Sequence, residues 1–272
     1  MSEKEQEYAK KSFDEVANRY DEIPFFKISA GHVLDIIKEH KDDDSLDVLD
    51  VACGTGNVVL ECAECMAGAS FDAVDISEGM LEKAKQNASV KLLDNIDFHL
   101  NDVTKLDLEK KYDVITCSYA LFFLPDAPSV LASLVSLLKP EGIIVFTSFT
   151  AKAFSPSDEI LLPLLEKYGS PTAKKYDMNK WENLKQVKDI ERLCALAEVN
   201  MPDIQAKEIR YGMGLDAWWE LMNNTGYKGM LMELDSEDYE HIKNEYYEAM
   251  FKHSDMDGEV ELIADTYFVV VS

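Results

Sequence analysis

Two hydrophobic periods alternate along this chain, and their order predicts its architecture. Residues 2–20 set Tyr8, Phe13, Val16, Ala17 and Tyr20 on roughly one face of a helix, which Pro24 ends or interrupts. Ile28, Val33, Leu34, Ile36 and Ile37 mark a second helix that runs to the charged turn KDDDS. Strand-like apolar runs follow at 46–52, 70–76, 96–100, 112–118 and 142–149, separated by helical patterns at 57–67, 78–88 and 127–138. Strands and helices alternating in this way specify βαβ units around a parallel sheet. Pro140 and Gly142 mark the turn into the fifth strand, another helix lies near 180–198, and DIQAKEIRYG and VELIADTYFVVVS read as the last two strands. The expectation is a single α/β domain over 1–272 with seven strands.

Two stretches break the alternation. Residues 151–180 hold Pro156, Pro163 and Pro171 among several aromatics, and residues 215–256 read as helices inserted before the final strand. Both are expected to be helical lid material, together with the N-terminal segment 1–40. Ligands of open α/β sheets bind outside the strand ends, so these insertions are where substrate specificity is expected.

Composition narrows the partners. With 52 Asp and Glu against 27 Lys and Arg, the formal charge is −25, which opposes nucleic acid and anionic membrane surfaces. At 47% hydrophobic residues the chain still has material for a large core. The start MSEKEQEYAKKSF has no apolar signal region, and no run of about 18 apolar residues suggests a membrane span, so a cytoplasmic protein is expected. Five cysteines without an export signal fit reduced thiols. Cys62-x-x-Cys65 has no second ligand pair, and His32, His40, His99, His241 and His253 form no cluster, so no metal is expected.

The chemistry concentrates in LDVLDVACGTGN, a buried strand followed by Gly54-Thr55-Gly56 and an apolar helix. Such a turn lets a ligand approach the backbone, and the helix start offers unpaired N–H groups. Asp75 closes the next strand 21 residues after Gly54, where an acid can take the two hydroxyls of a ribose. A phosphate-cradling P-loop lacks its lysine here. A dinucleotide fingerprint needs a third glycine where Val59 stands, which leaves NAD-dependent oxidation as an alternative.

More residues are accounted for by a family resemblance. VLDVACGTGN, AVDISEGMLEKAK, FHLNDVTKLDL, YDVITCSYALFFLPD and LKPEGIIVFTSF resemble, in order, five motifs of class I S-adenosylmethionine-dependent methyltransferases. KKSFDEVANRYDE resembles the FDxxAxxYD helix of the ubiquinone/menaquinone C-methyltransferase-like branch. The resemblance implies a Rossmann-like, mostly parallel seven-stranded sheet with an antiparallel last strand and helices on both faces. It also implies S-adenosylmethionine as cofactor and S-adenosylhomocysteine as product. The cofactor-binding positions it implies are Tyr20, Asp50, Ala52, Gly54, Thr55, Gly56, Asp75, Ile76, Met80, Asn101, Asp102, Val103 and Cys117.

The acceptor is less sharply written. Tyr119, Phe122, Tyr211, Met213, Trp218 and Trp219 are candidate substrate-facing residues, though adjacent tryptophans on a helix diverge by about 100°, so at most one of the pair faces a pocket. Ala120-Leu121-Phe122-Phe123 stands where many relatives have a histidine, which leaves Tyr119, Tyr20 and His32 as candidates for a general base. The acidic composition favours a small-molecule amine or imidazole acceptor. A quinone-type ring carbon and a non-catalytic cofactor-binding role are the remaining alternatives.

Overall fold

A strand covered on both faces needs apolar side chains at successive positions, and the central strands meet that demand. In the computed structural model, which describes residues 11, 13–14, 16–17, 19–43, 45–106, 108–176 and 180–272, they are β1 (Asp47–Val51), β2 (Ser70–Asp75), β4 (Tyr112–Ser118) and β5 (Leu138–Phe149). Tyr8 and the first ten residues of the expected N-terminal lid lie outside the described residues. β3 (Ile96–Leu100) forms one edge and is largely exposed. The strand order is β3-β2-β1-β4-β5-β9-β6, with β6 at Asp203–Lys207 and β9 at Thr266–Val271. β1 pairs in parallel with β2 and β4, as do β2 with β3 and β4 with β5. β9, the last strand, is antiparallel to both β5 and β6, as expected.

Two apolar layers sandwich the sheet. On one face α1 (Pro24–His40), α2 (Asn57–Cys65) and α3 (Glu78–Val90) bury Val33, Ile37, Val59, Cys62 and Leu81 against Val48, Phe71, Val114 and Val145. On the other, α4 (Ala127–Ser136) and α6 (Val187–Leu196) bury Leu131, Leu134, Ile190 and Leu193 against Leu49, Ile115, Ile144 and Phe146. Each such side chain contributes about 1.5–3 kcal/mol on burial. Pro24, at the first turn of α1, starts that helix, where its missing N–H costs nothing.

The two final strand runs each divide. DIQAKEIRYG ends β6 at Lys207 and resumes as β7 (Arg210–Gly214), and VELIADTYFVVVS gives β8 (Glu259–Ile263) before β9. β7 and β8 form a separate antiparallel pair outside the main sheet. The breaks are set by side-chain bonding: Asp265 accepts from the Ile209 N–H and from the Arg210 guanidinium at Nε and Nη2, and the Ala264 N–H donates to the Ile209 carbonyl.

By its contacts the chain forms two compact units. The first is Met1–Ala151 with Trp181–Lys207 and Thr266–Ser272; the second is Lys152–Lys180 with Glu208–Asp265. The second unit gathers the expected insertions as α5 (Ser157–Lys167), α7 (Leu215–Asn223), α8 (Lys228–Leu231) and α9 (Ser236–Phe251), together with β7 and β8. Its core holds Trp218, whose indole N–H donates to the Val260 carbonyl, and Tyr246, whose hydroxyl pairs with Ser157. No helix among the described residues is long and apolar enough to cross a membrane.

The central strands are also fastened at their N-terminal ends. Lys139 bridges Asp47 and Asp113 at 2.7 and 2.8 Å, and Lys110 bridges Asp47 and Asp72 at 3.0 Å each. The Lys139 ammonium, followed by Ser70 and Lys110, holds the Asp47 carboxyl well below the usual carboxylate range against its desolvation. A depressed carboxylate stabilises the fold above its unfolded value near 3.9 and loses that contribution as pH falls further. Lys139→Met is therefore expected to lower Tm by about 2–4 °C at pH 7, with the gap closing as the pH is taken below about 4. Thermal melts across that range test it, and a gap unchanged at about pH 2 would count against the assignment.

Candidate functional site

Strand order reverses between β1 and β4, and open α/β sheets form their ligand crevice at such a point, outside the carboxyl ends of the strands. A cleft of about 880 Å³, counting the part open to solvent, lies there, within the usual range for small-molecule sites. β1 contributes Ala52 and Gly54, β2 contributes Val74, Asp75 and Ile76, and the β3 end contributes Asn101 to Thr104. The β4 end contributes Ser118, Tyr119, Ala120, Phe123, Leu124 and Pro125, while Phe13, Tyr20 and Met80 complete the wall.

The glycine turn is built by local necessity. Gly56 is the residue before α2 and has φ +90°, and a Cβ there would come within 3.1 Å of the Leu60 side chain. Gly54 also has positive φ, and its N–H donates to Asp75 Oδ2 at 2.8 Å. The other oxygen of Asp75 accepts from the Ser77 N–H at 2.8 Å. Burial pushes the Asp75 carboxyl up, and the N–H groups of Ser77 and Gly54 oppose that rise. One carboxylate thus holds the two turns beneath the cleft and keeps lone pairs for a ligand.

Two wall residues hold left-handed backbone without being glycine: Ala52 at φ +53° and Tyr119 at φ +53°. Each costs on the order of 1–3 kcal/mol, and such strain gathers where a ligand must be approached closely. Tyr119 is fixed on every side. Its N–H donates to Thr147 Oγ1, its hydroxyl pairs with Thr266 Oγ1 at 2.8 Å, and its ring stacks on Phe149 at 4.4 Å. Beside it, the buried Ser118 hydroxyl has no hydrogen-bond partner among the described residues and belongs to the cleft wall.

Of the sequence-derived positions, Tyr20, Ala52, Gly54, Asp75, Ile76, Met80, Asn101, Asp102, Val103 and Tyr119 come together in this one cleft. Asp102 also shapes the local turn, accepting from the Thr104 N–H and hydroxyl, while Asn101 accepts from the Asp102 N–H. Met80 is both core and wall, packed with Val16, Ala17, Phe13 and Tyr20. Asp50, Thr55, Gly56 and Cys117 do not reach the wall. Cys117 points into the layer of Ile115 and Phe146, Thr55 is turned toward Asp21, and Gly56 serves as the cap of α2. Asp50 is 2% exposed and accepts from Thr116 Oγ1 at 2.7 Å.

Phe122 and His32 do not line the cleft, and the remaining substrate candidates belong to the second unit. Phe122 packs on Phe123 and Phe149, and it is Phe123 that faces the space. Trp218 and Trp219 are 0% and 3% exposed in the second unit, where Trp219 meets Tyr239 and Tyr246, so both rather than one of the pair are packed. Tyr211 and Met213 lie on β7. His32 stands edge-on to Phe268 in a different surface groove with Asp35, Lys38 and Glu39. Burial pushes the Tyr119 phenol up to about 12 and raises that of Tyr20 as well, the latter helped by the charge of Asp75, so neither is a base at neutral pH. Sequence reasoning missed Ser118, Phe123, Leu124 and Pro125. Their position just past a parallel strand, at the order reversal, is the signal that finds them.

No group of three or more His, Cys, Asp or Glu among the described residues could hold a metal ion. Among known proteins, the family described as Methyltransferase domain matches residues 42–210. The malonyl-[acyl-carrier protein] O-methyltransferase of Halalkalibacterium halodurans is 33% identical over 150 residues, 52% of this chain and 55% of that protein. The chain thus spans about half the length of such curated relatives. Aklanonic acid methyltransferase DauC of Streptomyces sp. (strain C5) is 29% identical over 195 residues, 66% of this chain and 86% of the relative. The crystal structure of the YcgJ protein of Bacillus subtilis shares the fold, with a TM-score of 0.58 at 16% identity over 89% of this chain and 97% of that one.

Asp50 generates a pH prediction. Burial, with a smaller contribution from the charge of Asp75, pushes its carboxyl up to about 7 despite the Thr116 hydroxyl and Val59 N–H. A raised carboxyl contributes its full stability below the unfolded value near 3.9 and loses it as pH rises toward 7. Asp50→Asn removes that loss, so the stability of the variant relative to the parent should rise by about 2–4 kcal/mol between pH 4 and pH 8. Denaturant titrations at both pH values measure the change, and parallel pH–stability curves would refute it.

Proposed function

The chain belongs to the methyltransferase domain family, whose class I members use S-adenosylmethionine, and on that premise we propose methyl transfer to an oxygen of a small acceptor that arrives already ionised. The observation that carries this reading is the chemistry of the β4 side of the cleft. Among the described residues of the first unit, those on this side, Ser118, Tyr119, Ala120, Phe123, Leu124 and Pro125 with Phe13 and Tyr20, include no imidazole, amine or carboxylate to remove a proton. Both phenols stay protonated at neutral pH. A carboxylic acid, with an ordinary pKa near 4, needs no base there, whereas an amine or an ordinary phenol does.

When bound, S-adenosylmethionine supplies an activated methyl group on a positively charged sulfonium. Asp75 would hold the ribose hydroxyls, while Ile76, Met80 and the Asn101–Val103 turn would flank the adenine. The unpaired hydroxyl of Ser118, in the cleft wall, suits the methionine portion. Phe13, Tyr20 and Phe123 exclude water and orient an apolar acceptor body.

The relative from H. halodurans is named an O-methyltransferase, which supports oxygen over nitrogen. The amine or imidazole acceptor expected from composition has no comparable support, and the ring-carbon alternative draws only on the FDxxAxxYD resemblance. The family assignment sets NAD-dependent oxidation aside.

Purified protein and methyl-labelled cofactor, offered panels of aromatic carboxylic acids, phenols, quinols and amines, test the reading. Label is expected in carboxylic acids, in a form that alkali releases as methanol; label confined to amines or ring carbons overturns it. Asp75→Ala should weaken S-adenosylhomocysteine binding by roughly 10–100-fold in calorimetry. An unchanged affinity would remove the ribose assignment.

A further inference from the structure

The two aromatics that the N-terminal segment sends into the cleft are each followed by an aspartate, as Phe13-Asp14 and Tyr20-Asp21. Seven residues separate the pairs, two helical turns, so both aspartates share one side of the segment, whose described residues from Lys11 to Tyr20 are helical. On charge alone they read as solvated surface. In the structure each is an anchor to a different part of the cleft's frame. Asp14 Oδ1 accepts from the Ser77 hydroxyl at 2.5 Å and from the Gly79 N–H at 3.1 Å, at the start of α3. A carboxylate at a helix N-terminus also meets the positive end of the helix dipole. Asp21 Oδ1 accepts from the Thr55 hydroxyl of the glycine turn at 2.5 Å, and its Oδ2 accepts from Asn87 Nδ2 at 2.8 Å. Asn87 Nδ2 also reaches the Thr55 carbonyl, at 3.2 Å.

A separate observation comes from Gly79. A Cβ there would stand 3.2 Å from Asp14 Oδ1 and 3.3 Å from the Asp14 Cα and carbonyl oxygen, so the missing side chain is the seat for the N-terminal helix. Between the two anchors, Val16 and Ala17 pack on Met80, itself a wall residue. The helix is therefore bolted at one end to the turn after β2 and at the other to the turn after β1, the pair that Asp75 already joins from below.

We propose that Asp14 and Asp21 are positioning residues, whose bonds to Ser77–Gly79 and to Thr55–Asn87 fix Phe13 and Tyr20 over the bound cofactor and so set how long it stays. The two aspartates make distinguishable demands. Asp14 uses one oxygen for both bonds, and Asn presents the same single acceptor. Asp21 uses both oxygens, and Asn must turn its own NH2 group against a donor, either the Thr55 hydroxyl or the Asn87 amide.

The choice of probe rests on the S-adenosyl reading above, so the test has an arm without ligand. Asp14→Ala and Asp21→Ala should speed amide hydrogen exchange in residues 13–20 of the free protein by about tenfold or more while exchange in the sheet is unchanged. In calorimetry and stopped-flow, the same variants and Asp21→Asn should raise the S-adenosylhomocysteine Kd by about tenfold, mainly through faster release, with Asp14→Asn, which keeps the acceptor and loses only the charge at the helix start, clearly less affected than Asp14→Ala. Asp14→Asn behaving like Asp14→Ala, or alanine variants with parental exchange in residues 13–20, overturns the proposal. Failure of the parent protein to bind S-adenosylhomocysteine, with faster exchange still seen in the variants, sinks the cofactor reading and leaves the anchoring intact.

Discussion

The carboxylate of Asp75 joins the two turns on which the cleft is built. One oxygen takes the N–H of Gly54 at the end of β1, and the other takes the N–H of Ser77 at the end of β2. The group is nearly buried, so its charge is costly and is offset by the backbone donors that it organises. Without that bond the half-buried Gly54 N–H, at a left-handed position, would lose its partner. The geometry of this side of the cleft follows from this tie: Ala52, Gly54 and Ile76 line the cleft beside the turns that Asp75 joins.

Sheet topology then grades the cleft. Reading along β3, β2, β1 and β4, the wall passes from Asn101, Asp102 and Asp75 to glycine and alanine and finally to Tyr119, Phe123, Leu124 and Pro125. Polar acceptors gather at the β2 and β3 end, and apolar, low-dielectric surface gathers at the β4 end, where electrostatic interactions strengthen as water is excluded. The gradient is a property of strand order, so no single substitution creates or abolishes it.

The legible parts of the chain were those written in local chemistry. The glycine turn, Asp75 and the strand-and-helix alternation are encoded over a few residues each and appear where the pattern puts them. Long-range bonding decided the rest. The strand-like runs read straight through Lys207–Arg210 and Ile263–Thr266, yet both break where Asp265 bonds Ile209 and Arg210. Helical spacing allows at most one tryptophan of an adjacent pair to face a pocket, and at Trp218 and Trp219 β8 on one side and α9 on the other take up both. Asp14 and Asp21 are letters of the FDxxAxxYD resemblance, but their bonding partners Ser77 and Thr55 lie more than thirty residues away and are not written in it. Ser118 carries no signal beyond its place at a strand end, which becomes meaningful only when the strand order is known.

The hydroxyl of Tyr119 rests on Thr266, 147 residues further along the chain, in the strand that slots between β5 and β6. The left-handed turn at the end of β4 therefore lacks one of its supports until β9 has docked. During synthesis the glycine turn and Asp75 emerge early and can close on each other, while the aromatic side of the cleft must wait for a strand made more than a hundred residues later. The shape of the cleft is thus completed in two instalments, and the aromatic side is the later one.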